Sequence, residues 1–112
     1  MVVQGRLLLT GGQIGWNTDG SFVSDDLVDQ FGKALENLLD VVRAAGAGPE
    51  HIASMTVYVT EIEAYRYRQS EIGTVWRARM GRHFPAMALV GVTALVEEQA
   101  KVEIQAVVEL PG

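Results

Sequence analysis

The stretch Ser24–Pro49, SDDLVDQFGKALENLLDVVRAAGAGP, carries the clearest periodic signal in the chain. Leu27, Val28, Phe31, Leu35, Leu38, Val42 and Ala45 recur at steps of three and four. That spacing lays an apolar stripe along one side of a helix. Ser24 or Asp25 supplies an N-cap oxygen, and Asp26 and Asp29 suit the positive end of the helix dipole. Gly46 stands where the chain leaves the helix, with Pro49 just beyond. Such a stripe has to be covered, so the flanking segments decide the fold class.

After the helix, HIASMTVYVT (His51–Thr60) alternates, with Met55, Val57 and Val59 apolar and Ser54, Thr56 and Tyr58 between them, which predicts a strand. Thr60-Glu61-Ile62-Glu63 has the pattern of a capping box, predicting a second helix through Tyr65, Ile72, Trp76 and Met80 that stops at Gly81. Arg66, Arg68, Arg77 and Arg79 read as its solvated face. PAMALVGVTAL (Pro85–Leu95) reads as a strand apolar on both faces, hence central or covered by a partner. KVEIQAVVEL (Lys101–Leu110) alternates cleanly as a last strand. Before the helix, Val2-Val3, a turn at Gly5 and a buried-type strand Arg6–Thr10 lead into a glycine-rich loop, GGQIGWNTDGSF (Gly11–Phe22). The order predicts an α+β fold in one domain, residues 1–112. One mixed sheet of five or six strands carries two helices on one face. The other face, which by parity includes Glu103 and either Met87 or Ala86, is left for an oligomer interface.

Composition narrows the function. The 112 residues are 48% hydrophobic, high for so short a chain, and an interface between copies would absorb the surplus. Nine Lys and Arg against 14 Asp and Glu give a net charge of -5, which opposes binding to nucleic acid. There is no cysteine, and the two histidines, His51 and His83, lie far apart in sequence, so no metal-ligand spacing is visible. No apolar run approaches a membrane span and no signal peptide is recognisable, so the cytoplasm is the expected location.

Four pieces together resemble the RidA/YjgF family of enamine and imine deaminases. They are LLLTGGQIGWNTDG, QFGKALENLLDVVRAAGA with its Gln-x(6)-Asn pattern, MTVYVTEIEAY, and FPAMALVGV with the final KVEIQAVV. They span nearly the whole chain in order. The resemblance implies a chorismate mutase-like fold, a homotrimer, and sites in clefts between subunits. It implies hydrolysis of reactive enamines or imines with release of ammonia, without metal or organic cofactor. The family glutamate falls on Glu103, and a second acidic position is Gln105. The family's cradling residues fall on Gly11 and Gly12. The arginine that follows Pro-Ala in typical members and clamps a substrate carboxylate is replaced by Met87. The family's Gly-Pro-Tyr opening segment has no counterpart.

Each candidate has a structural reading beside the functional one. Gly11 and Gly12 expose backbone N–H groups to an oxyanion, or make a tight turn. Glu103 positions or deprotonates water, or lies on a solvated strand face with Lys101 and Glu109. Met87 marks a lost carboxylate clamp, or is core filler. Arg82, beside His83, or Arg6 replaces the missing charge, or Arg82 is a helix-end cation. Gln13, Trp16 and Asn17 form an apolar wall with a polar rim, or pack within their loop. Tyr58 and Phe84 line the same cleft, or Phe84 is buried structure. The expected function is a hydrolytic deaminase of small imines or enamines with a non-standard substrate, such as 2-aminomuconate. The alternative is a small-metabolite-binding or regulatory trimer without turnover. A ribonuclease or translation inhibitor fits the acidic balance less well.

Overall fold

A computed structural model describes all residues, 1–112. The elements are β1 (Leu7–Leu9), β2 (Gln13–Ile14), α1 (Leu27–Ala44), a 3-10 turn (Pro49–His51), β3 (Ile52–Val59), α2 (Ile62–Tyr67), α3 (Gln69–Met80), β4 (Ala86–Gly91) and β5 (Val102–Glu109). The five strands form one mixed sheet in the order β1-β5-β3-β4, with β2 also pairing along β5. Only β3 and β4 run parallel, as the helical crossover between them requires. The α+β class and the five-stranded mixed sheet match the expectation. No helix is long and apolar enough to cross a membrane.

The core lies between the helices and one face of the sheet. Phe31, Leu35, Leu38 and Val42 of α1 pack with Met55, Val57 and Val59 of β3 and Val102, Ile104 and Val108 of β5. Asp26 is the N-cap of α1: its carboxylate accepts the Asp29 N–H at 3.0 Å. Ser24 Oγ in turn accepts the Asp26 N–H and donates to Asp29. The cap therefore stands later than Ser24 or Asp25, with Ser24 supporting it. Gly46 takes a φ of 85°, the left-handed turn expected after α1.

Buried Gln30 joins three segments. Its amide donates to the carbonyls of Ser24 and Gln99, and its oxygen accepts the Lys101 N–H. Asn37, two turns along α1, donates to the carbonyls of Ile14 and Trp16, both at 2.9 Å. Asn37 fastens β2 and the loop after it to the helix layer, and Gln30 fastens the segment leading into β5.

Five sequence expectations are corrected. Val2 and Val3 form no strand, and Leu7 and Leu9 are exposed rather than buried, because β1 is an edge strand whose outer face carries them into solvent. The second helix is two helices meeting at Arg68. The Thr60 N–H donates to Lys101 O, so Thr60 continues the sheet and does not cap a helix. Arg68 and Arg79 are not merely solvated: Arg68 pairs with Asp26 and Glu71, and Arg79 with Glu36, tying α3 to α1. Finally, β4 is an edge strand and not a central one, so its apolar residues are covered on neither the edge nor the face away from the helices.

Candidate functional site

Along β5 the partner strand gains one residue. Leu9 pairs with Val107 and Gln13 with Ile104, so four steps on one strand match three on the other. The extra residue makes a bulge at Thr10–Gly12. Thr10 closes it, donating its N–H to Ala106 O and accepting the Ala106 N–H on its hydroxyl. The double glycine of the sequence thus sits at a defined interruption of the ladder. Neither the Gly11 nor the Gly12 N–H donates to another group of the chain.

Glu103 lies against this bulge. A Cβ on Gly12 would stand 2.4 Å from Glu103 Oε2 and 2.6 Å from its carboxyl carbon. Glycine is what lets the carboxylate rest over the backbone there. The carboxylate is half-buried and makes no ion pair; Lys101, on the same side of β5, turns instead to Glu61 at 3.5 Å. Tyr58 of β3 is the cross-strand partner of Glu103, and Val90 of β4 is the partner of Tyr58. Through the β3 and β4 register Glu103, Tyr58 and Val90 form a row across one end of the face that the helices leave open, with Gly12 against the Glu103 carboxylate. Val90, which is 41% exposed, was not singled out from the sequence. Its place depends on the β3–β4 register, which periodicity does not reveal.

The other candidates fall elsewhere. Met87 pairs with Met55, which is buried beneath the helices, so Met87 and Glu103 belong to opposite faces of the sheet. Met87 remains half-exposed because β4 has no outer neighbour. Arg82, His83 and Phe84 precede β4 at the Ile52 end of β3, where a His83 ring nitrogen is 2.8 Å from Ile52 O. Glu103 is level with Tyr58 at the other end, about 20 Å away at roughly 3.3 Å per residue. Arg6, whose carbonyl accepts the Leu110 N–H, is also at the far end. Phe84 is 68% exposed and stacks on Trp76 with ring centres 6.0 Å apart, which corrects its reading as buried structure. In a single chain neither Arg82 nor Arg6 supplies the charge that Met87 lacks beside Glu103.

Gln13, Trp16 and Asn17 line a separate depression with Thr18 and with Asn37 and Asp40 of α1. Glu103 does not line it. The loop there is compact: Trp16 bridges to Phe22, and Asp19 accepts from both the N–H and the hydroxyl of Ser21. Asn37 and Asp40 were missed as pocket residues, although their three-residue spacing places them on one side of α1. No three His, Asp or Glu side chains stand close enough together to hold a metal ion.

Known proteins resemble this chain along nearly its whole length. A family model described as Endoribonuclease L-PSP matches residues 1–110. A RutC family protein of Pasteurella multocida is 31% identical over 103 residues, covering 92% of this chain and 79% of the relative. A 2-iminobutanoate/2-iminopropanoate deaminase of Salmonella typhimurium is 29% identical over 106 residues, covering 92% and 79%. Among solved structures, a Rid-family protein of Yersinia pestis superposes with a TM-score of 0.84 at 31% identity, covering 95% of this chain and 80% of that one.

Proposed function

The chain belongs to the endoribonuclease L-PSP family, the RidA/YjgF proteins, and from that membership we propose that it is a hydrolytic deaminase of small imines and enamines. The relatives' names support the imine-deaminase kind of chemistry. The observation that carries the reading is Glu103: a half-buried carboxylate without an ion-pair partner, resting on a glycine bulge whose N–H groups are free.

A water beside Glu103 is oriented toward the C=N carbon. Its oxygen bonds to that carbon while Glu103 takes a proton and returns it to the nitrogen. The carbinolamine hydroxyl then gives its proton to Glu103, which passes it to the amine nitrogen as the C=O bond forms and the C–N bond breaks, and ammonia leaves. One water is consumed and Glu103 ends as it began. The Gly11 and Gly12 N–H groups, which have no partner in the chain, hold an oxygen of the substrate in this reading. Tyr58 and Val90 line the same row. The remaining wall comes from a second copy of the chain in a homotrimer packed through the open sheet face. There a neighbour's Arg82, Phe84 or Met87 side can approach Glu103.

Met87 sets the substrate. A charge-assisted hydrogen bond contributes about 1.5–3 kcal/mol, or roughly 10- to 150-fold in affinity. A thioether cannot supply it. The preferred substrate therefore lacks the α-carboxylate dependence of a simple 2-imino acid. It is larger or differently charged, as a ring-cleavage enamine such as 2-aminomuconate would be.

Ammonia release from imines made in situ by an amino-acid oxidase, and from conjugated enamines, tests the proposal. Glu103→Gln should lower the rate by about 100-fold or more. If no substrate across a broad panel is accelerated and the variant matches wild type, the deaminase reading fails. Met87 also favours a second reading, a metabolite-binding trimer without turnover. Saturable binding of the same compounds with no ammonia would select it.

A further inference from the structure

We infer that the depression between the Trp16–Thr18 loop and α1 is a binding site for a small organic cation, a primary ammonium on a short alkyl chain. The site does not depend on the deaminase reading. It has a volume of about 220 Å³ and is lined by Gln13, Trp16, Asn17, Thr18, Asn37 and Asp40. No Lys or Arg is among them.

The direction of the amides decides the chemistry. Asn37 uses its Nδ2 on two backbone carbonyls, those of Ile14 and Trp16. Asn17 Nδ2 donates to Ser21 Oγ at 3.2 Å, and Gln13 Nε2 to Gly11 O at 3.3 Å. Asn37 thus spends both of its N–H groups and keeps only its oxygen for a ligand, while Asn17 and Gln13 each keep an unused oxygen beside one N–H. Asp40 adds a full negative charge and has no ion-pair partner. It sits one turn from the end of α1 at Ala44, where the helix dipole is also negative. The Trp16 indole, 37% exposed and steadied by Phe22 at 6.1 Å, offers a ring face to an ammonium and its methylenes. Carbonyl oxygens, a carboxylate and an indole face together attract an N–H-rich cation. A carboxylate ligand meets the wrong sign, and a neutral alcohol leaves Asp40 uncompensated.

The test is a titration of the full chain, isotopically labelled, with n-butylammonium, following the Trp16 indole N–H and the Asn37 side-chain amide by NMR. Buried Trp76 is the internal reference. Saturable shifts at Trp16 and Asn37, with Trp76 unmoved, are expected. Butyrate should give none, and n-butanol should bind at least about tenfold more weakly. Asp40→Asn, at an exposed position, should keep the dispersed spectrum and weaken n-butylammonium by about tenfold or more. The proposal is overturned if n-butylammonium gives no saturable shift, if n-butanol binds equally well, or if Asp40→Asn leaves the affinity unchanged.

Discussion

A methyl group added at Gly12 would stand 2.4 Å from Glu103 Oε2, so Gly12→Ala must move the carboxylate. The obstructed atom is the far end of a flexible side chain, and Gly12 has no positive φ to strain. Catalysis should therefore suffer more than folding. Ammonia release is expected to fall at least about tenfold while Tm drops by less than about 4 °C. A loss of Tm in step with activity would show that the bulge serves stability alone. Asp26 offers a second measurement at the same scale. The hydrogen bond from Arg68, followed by that from the Asp29 N–H, holds its carboxyl below the ordinary value of 3.8. A depressed folded pKa stabilises fully above the unfolded value and is lost as pH falls through the lower folded one. Thermal stability should decline below about pH 4, and Asp26→Asn should flatten that part of the profile.

At the scale of the element, α1 was legible because its apolar stripe, acidic start and Gly46 exit are all local signals. The helix after β3 was legible only in part. Its break at Arg68 accompanies ion pairs with Glu71 and with Asp26, the latter 42 residues distant in sequence. Thr60 had the pattern of a cap, but the sheet claimed its N–H. Gln30 and Asn37 stand at helical positions without any sign of what they fasten. Gln30→Leu would orphan the Lys101 N–H and the Ser24 and Gln99 carbonyls. A destabilisation of about 3 kcal/mol is expected in denaturant unfolding, since each buried orphan costs about 1–3 kcal/mol. A change below about 1 kcal/mol would mean that water replaces the amide without loss.

For the whole molecule the open sheet face matters most. Leu9, Val107, Ala86, Ala88 and Val90 share it with Ser54, Thr56 and Gln105, a mostly small and apolar surface that the single chain leaves uncovered. Ala88→Arg places a charge in the middle of that face. Sedimentation should show trimers for the native chain and monomers for the variant, with ammonia release lost alongside assembly. A variant that stays trimeric would place the interface elsewhere.

Much of this molecule could be written down before folding: the α+β class, α1 and the alternation of β3 and β5 from periodicity, and the double glycine and Glu103 as parts of one site from family likeness alone. Those features depend on neighbours a few residues apart, or on a pattern preserved along the whole chain. Folding alone put Met87 and Glu103 on opposite faces, set Arg82 at the other end of β3 from Glu103, made β4 an edge, and joined Trp16 and Asn17 to Asp40. Strand order and register govern all four, and these follow from how distant segments share one core, which no local spacing encodes.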